Sequence, residues 1–244
     1  MRAFWWFKEN SIAGMARPGF NQIRWFDMPF DEAVVMGWIG QHSTGAIDRN
    51  LFYQHLETYM PKILKFYKLT PEGFSKAKDS FFNDESLAEI LNRISERTQF
   101  IKDVVVHSGK IQFRINENRM EYEIDCLKKH GISRIICLAE THHDKNYLEN
   151  HFNLHHFAIE DLSTPKMDQV RQLAEIIDEA QLKNEKIAVH CLAGIGRTST
   201  MLMASCLLKG ESLENLVNHV SQRNPSYVLT DSQNDFLRNV KNYL

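Results

Sequence analysis

A thiol and a guanidinium with five residues between them stand in the stretch His190–Thr198, HCLAGIGRT. Ile187, Ala188 and Val189 before it read as the end of a buried strand. Thr198 to Leu208 behind it, mostly apolar and without Gly or Pro, reads as a buried helix. Strand, tight loop and helix together aim backbone N–H groups and the positive end of a helix dipole at one point. A thiol held there beside Arg197 has its ionised form stabilised and is a standing nucleophile. Gly194 and Gly196 let successive amides turn inward and remove side chains that would block close approach. Leu192, Ala193, Gly194, Ile195, Gly196 and Arg197 then supply a ring of donors for a tetrahedral oxyanion, onto which Arg197 forks two hydrogen bonds. The same donors match the equatorial oxygens of a phosphoryl group as it passes to the sulfur. The Thr198 hydroxyl is expected to hydrogen-bond the sulfur and help it leave in a second step. His190 is expected to brace the loop through backbone groups. The pattern is a phosphate trap with a nucleophile at its base.

Such chemistry needs an acid for the departing oxygen and a base for the water that follows, and one carboxyl group can serve as both. Asp161 lies thirty positions before Cys191, at the end of a strand-like run and just ahead of a helix. A parallel neighbour strand would bring it to the sheet edge where open α/β sheets bind ligands. Glu160 is the adjacent alternative, with its side chain expected on the other face of the strand. Asp168 reads as an acidic residue favoured in the first turn of a helix.

The elements that must hold these groups alternate regularly. GISRIICLAE (131–140) and LHHFAIEDL (154–162) read as strands. Pro165 to Lys183 repeats apolar residues at a helical period, with Ser163 or Thr164 as the cap and Pro165 in the first turn. Helices over Ser212–Arg223 and from Ser232 onward follow, separated by NPSYVLTD. The expected fold class is α/β, a central, mostly parallel sheet flanked by helices. Residues 20–118 differ. They carry the amphipathic helical patterns DRNLFYQHLETYMPKILKFYKL and DESLAEILNRISERTQFI, then two strand-like runs around Ser108-Gly109 that predict a hairpin. They read as a mainly helical insertion or cap.

A net charge of −2 with 25% charged residues gives no sign of nucleic-acid or membrane binding, and no apolar run reaches the length of a membrane span. Lys8 and Glu9 interrupt the apolar start too early for a secretory leader. Cys126, Cys137, Cys191 and Cys206 have neither paired nor metal-like spacing, which suits a reducing, cytoplasmic compartment, secretion by an unreadable signal being the alternative. His142, His143, His151, His155 and His156 read as a histidine-rich surface loop, His155 and His156 facing opposite ways, and no metal is expected. Trp5, Trp6, Trp25 and Trp38 read as packing aromatics, placed between the insertion and the rest of the chain.

HCLAGIGRTS resembles the signature of the cysteine-dependent protein tyrosine phosphatases, most closely the compact atypical dual-specificity branch. SIAGMARPG (11–19) is similar to that family's first strand and turn, LKKHGISRIICLAE to its next helix and strand, and FAIEDLSTPKMDQV to the segment carrying its acid. The resemblance covers 1–19 and 119–244, implying a catalytic domain there and leaving 20–118 as an insertion. It selects Asp161 as the acid and implies a cysteinyl-phosphate intermediate without cofactor or metal. It also implies that Gln233, in NPSYVLTDSQ, positions a water; the other reading is a solvated residue early in the last helix.

The expected substrate is a phosphoprotein, with phosphotyrosine and phosphoserine/threonine both accepted, and the insertion is a possible partner contact. The same chemistry on phosphoinositides, inositol phosphates or RNA 5′-phosphates is the alternative. The Leu-Ala-Gly-Ile-Gly of the loop contains no lysine, which disfavours polyanionic substrates. A non-catalytic phosphate-binding module is the alternative of another class, disfavoured because thiol, guanidinium, hydroxyl and acid are all present.

Overall fold

The computed structural model describes the chain apart from residues 2, 21–27, 43–45, 49, 53, 55, 59–69, 73–74, 76–83, 108–109, 143, 225 and 244. It divides into two compact units, residues 1–26 with 120–244, and residues 27–119.

In the first unit, β1 (Phe4–Lys8), β2 (Ile12–Met15), β6 (Ile132–Cys137), β7 (Asn153–His156) and β8 (Lys186–His190) form a sheet in the order β1-β2-β8-β6-β7. Only the β1–β2 pair is antiparallel. The helices of this unit are α3 (Glu117–Lys129, whose first residues fall in the other range), α4 (Lys145–Leu148), α5 (Met167–Leu182), α6 (Gly196–Leu207), α7 (Leu213–Arg223) and α8 (Asp231–Asn239). Strand alternation sorts the core into two layers. Ile187 and Val189 join Val170, Leu173 and Ile177 of α5 and Met201, Leu202 and Met203 of α6. Ala188, between them, joins Ile124 and Leu127 of α3 with Leu148 and Phe152 on the opposite face. With both faces covered, β8 has no polar residue before His190 except its first, which is why IAV reads as a continuous apolar run.

Two boundaries differ from expectation. The run 154–162 is a strand only to His156, because the chain then lifts off the ladder: the Phe157 amide bonds Cys137 O at 2.9 Å and the Ile159 amide bonds Leu138 O at 3.3 Å. Neither Ser163 nor Thr164 caps α5. Its N-cap is Lys166, whose amide donates to Gln169 Oε1 at 2.8 Å, so Pro165 lies outside the helix.

The second unit contains α1 (Phe30–His42), β3 (Ala46–Ile47), α2 (Asp84–Thr98), β4 (Ile101–His107) and β5 (Lys110–Ile115). Its three strands form an antiparallel sheet ordered β3-β5-β4, with His107 opposite Lys110, so the predicted hairpin strands pair. The expected hairpin supplies two of these strands but not β3, and most of the 48–69 helical pattern, with Pro61, lies outside the described residues. Glu32 of α1 is fully buried and ion-paired to Arg97 at 2.8 Å and Arg93 at 3.2 Å, as a buried carboxylate requires. Trp38 meets Phe52 edge-on at 5.6 Å in this second unit, Trp5 belongs to the α5–α6 core of the first, and Trp25 lies outside the described residues.

Candidate active site

Cys191 leaves the end of β8 buried, at 3% exposure, and the chain turns through 192–195 into α6. Gly194 takes φ +72°, and a Cβ there would fall 2.3 Å from Met15 C and 2.5 Å from Ala16 N. Only glycine fits, because β2 runs beside β8 with Met15 opposite His190. The loop carbonyls are tied outward. Arg17 N–H donates to Leu192 O at 2.9 Å, Asn224 Nδ2 to Gly194 O at 3.3 Å, and His190 Nδ1 pairs with Cys191 O at 2.9 Å. In a trans peptide the next N–H points the opposite way, and no peptide here is cis. The amides of Leu192, Ala193 and Ile195 are thereby turned away from these three anchors. Arg17 itself is buried and fixed by Asp144 at 2.5 Å.

Arg197, the second residue of α6, is 2% exposed. Its Nη1 donates to Ile159 O at 2.9 Å, and its Nη2 lies 2.8 Å from Asp161 Oδ1. Burial opposes its charge, but the carboxylate of Asp161 and then Cys191 outweigh that and raise its pKa above the ordinary guanidinium value. A guanidinium has five N–H donors, so most of this one's remain for an oxyanion.

Asp161 sits in a turn held from several sides. Its amide donates to Glu140 Oε1 at 2.8 Å, and its Oδ1 accepts from Leu162 N–H at 3.0 Å. Leu162 has φ +59°, a conformation that costs a non-glycine residue about 1–2 kcal/mol. The N-terminus of α8 offsets that cost. Thr230 Oγ1 donates to Leu162 O at 3.2 Å, and Gln233 Nε2 to Ser163 O at 3.0 Å. Thr230 and Gln233 also form a reciprocal capping box, with Gln233 Oε1 accepting from Thr230 N–H at 3.1 Å.

The structure therefore brings Cys191, Arg197 and Asp161 to one sheet edge, with His190 beneath the loop. Gln233 is not solvated: it is 1% exposed, and its amide lies against Gly196, where a Cβ would come within 3.0 Å of Oε1. Thr198 Oγ1 is buried without a hydrogen-bond partner, so the expected bond to the sulfur is not formed. Asp168 is exposed and paired with Arg171, and Glu160 is exposed. Arg223 meets His219 at 3.2 Å on the surface. Arg17 and Asn224 carry no signal in the sequence alone. The Thr-x-x-Gln of the capping box does, at residues 230–233.

Among the five clustered histidines, His151 pairs with Lys128 at 2.9 Å and His156 with Ala139 O at 2.7 Å; His143 lies outside the described residues. No described helix is long and apolar enough to cross a membrane.

Residues 109–211 match the family described as "Polymorphic toxin system, DSP-PTPase phosphatase". Over 129 residues the chain is 25% identical to a probable protein tyrosine phosphatase type IVA B of Dictyostelium discoideum, covering 51% of this chain and 78% of that protein. Over 106 residues it is 31% identical to the human dual specificity protein phosphatase CDC14C, covering 43% of this chain and 23% of that one. The chain carries a cysteine-dependent phosphatase domain. By these matches it is similar to dual-specificity-type protein tyrosine phosphatases, and the matched stretch holds Cys191 and Arg197. Among solved structures it is similar to Tk-PTP in its active form, at 22% identity, 51% coverage of this chain, 87% of that chain and a TM-score of 0.46.

Proposed function

We propose that residues 1–26 with 120–244 form a catalytic unit that hydrolyses phosphomonoesters through a cysteinyl-phosphate intermediate. The observation that carries this reading is the placement of a buried arginine, Arg197, between a cysteine at a helix N-terminus and a half-exposed carboxylate 2.8 Å away. Phosphate bound over Cys191 takes the free donors of Arg197 and the inward amides of the loop. The sulfur attacks phosphorus, the P–O bond to the leaving group breaks, and Asp161, entering the step as the protonated carboxylic acid, supplies the proton that oxygen needs. Asp161, now ionised, then takes a proton from the water that attacks the thiophosphate, releasing phosphate and restoring the thiolate. Gln233 and Asn224 hold the acid turn and the loop in register during both steps.

The proposed substrates are phosphoproteins bearing phosphotyrosine or phosphoserine/threonine. The five residues between Cys191 and Arg197 carry no cation to attract further phosphates. The matching family is described as a polymorphic toxin system phosphatase, and we carry that setting over as a proposal: the domain is the phosphatase of such a system. Residues 27–119 are proposed as an accessory unit that contacts a partner. A reducing compartment suits the site, since Cys191 acts only as a free thiol. A panel of phosphopeptides, phosphoinositides and RNA 5′-phosphates, assayed with wild type and Cys191→Ser, tests the assignment. Turnover of phosphopeptides by wild type alone is expected, and activity confined to inositol lipids would overturn it.

A further inference from the structure

Directly beneath the catalytic loop, on the opposite face of the sheet, lies a second group of ligating side chains that this mechanism uses only in part. Cys137 ends β6 and His190 ends β8, and the two are register partners in parallel strands, so their side chains leave the same face. Alternation sends Cys191 to the other face, where it packs with the α5–α6 core. His142, in the turn after β6, returns over the pair. Cys137 Sγ and a ring nitrogen each of His142 and His190 lie within 4.8 Å of one another.

The imidazoles are poised as ligands. His190 is 1% exposed, and its Nδ1 pairs with the Cys191 carbonyl, an acceptor, so that nitrogen carries the proton and Nε2 presents a bare lone pair. Nε2 is buried and has no hydrogen-bond partner; His142 Nε2 is likewise buried and unpartnered. An orphaned ring nitrogen this deep is costly, and two beside a thiol in one place call for a shared partner. The Nδ1–H···O=C bond of His190 is the outer contact that ordinarily orients a metal-bound histidine. Arg17, a buried cation whose charge is felt at the group, is ion-paired to Asp144.

We propose that Cys137, His142 and His190 bind a borderline-soft divalent cation, Zn²⁺ being the best match to one thiolate and two imidazoles. Binding releases the Cys137 thiol proton to solvent as the S–Zn bond forms, the two neutral imidazoles donate their lone pairs, and water takes the fourth position. Zinc ligands sit about 2.0–2.3 Å from the metal, so the three side chains close up by well under the length of a bond each. Because His190 also holds the Cys191 carbonyl, an occupied site ties β6, the 138–144 turn and the catalytic loop together. This inference does not rest on the chain being active.

The test is Co²⁺ titration of the full chain, chelator-treated and reduced, in the Cys191→Ser background so that the catalytic sulfur cannot contribute. A sulfur-to-cobalt charge-transfer band in the near ultraviolet, with tetrahedral d–d bands, saturating at one cobalt per chain and displaced by Zn²⁺, is expected. Cys137→Ser should abolish the charge-transfer band, and His142→Ala, at a half-buried position, should weaken cobalt binding at least about tenfold. No cobalt–thiolate band in Cys191→Ser, or a band indifferent to His142→Ala, would overturn the proposal.

Discussion

The Nη2 of Arg197 stands 2.8 Å from Asp161 Oδ1, so the cation that would hold phosphate already holds the carboxylate that would donate the proton. The pair fixes the acid at the rim of the pocket, 33% exposed, over a guanidinium that is almost wholly buried. Asp161→Asn keeps the shape and removes the transferable proton and the charge. We expect kcat to fall about 10²–10⁴-fold. The loss should be larger for alkyl phosphates than for para-nitrophenyl phosphate, whose leaving group needs no proton. Tungstate inhibition constants should stay level or tighten, because Arg197 loses a competing anion. An equal loss on both substrates would remove Asp161 from the acid role.

Gln233 is bonded at both ends of its amide, to Thr230 N–H and Ser163 O, and so joins the α8 cap to the acid turn. Gln233→Ala removes both of these part-buried hydrogen bonds, at about 1–3 kcal/mol in all. The expected signature is a lower urea midpoint together with a fall in kcat and little change in KM. A variant as stable and as fast as wild type would remove Gln233 from any part in holding the acid turn.

Gly194 is required twice, by its positive φ and by the Met15 backbone where a Cβ would lie. Gly194→Ala should cost at least about 1–3 kcal/mol and abolish turnover by displacing the loop. Thermal unfolding and oxyanion binding, measured on the same preparation, check both effects.

The loop and its flanking elements were legible because each rests on local chemistry. IAV before Cys191 is a buried strand's pattern, two glycines mark the turn, and a run without breakers marks the helix. The carboxylate was reachable from its distance along the chain and the rule of parallel strands. What was not legible depends on contacts distant in sequence. Arg17 bonds Leu192 and Asn224 bonds Gly194, and neither residue type announces a loop brace. The lift of the chain after His156 shortened a strand that composition alone extends. The Cys137–His142–His190 group was hidden for the same reason: register makes neighbours of residues with no common spacing.

Burial holds the pKa of His190 down to about 3, against 6.5 in the open chain, and lowers that of His142 to about 4. Both imidazoles are neutral in the fold and protonate on unfolding once the pH drops below 6.5. Their contribution is fully present above that value and is lost as pH falls toward their folded values. His190 alone should lower stability by about 1.4 kcal/mol per pH unit through that window. Urea unfolding between pH 6.5 and 4.5, above the range where most carboxylates titrate, is expected to show a falling midpoint. His190→Gln should flatten the slope, whatever it does to the absolute stability.

The account turns on Cys191 carrying phosphate in covalent form. Acid-quenching the enzyme in the first turnover of a phosphotyrosyl peptide, and mapping the phosphoryl group by mass spectrometry, tests this most directly. The modification should sit on Cys191 and be absent from Cys191→Ser, which should also be inactive. Steady turnover with no phosphocysteine at any time point, or a serine variant that keeps the wild-type rate, would contradict it.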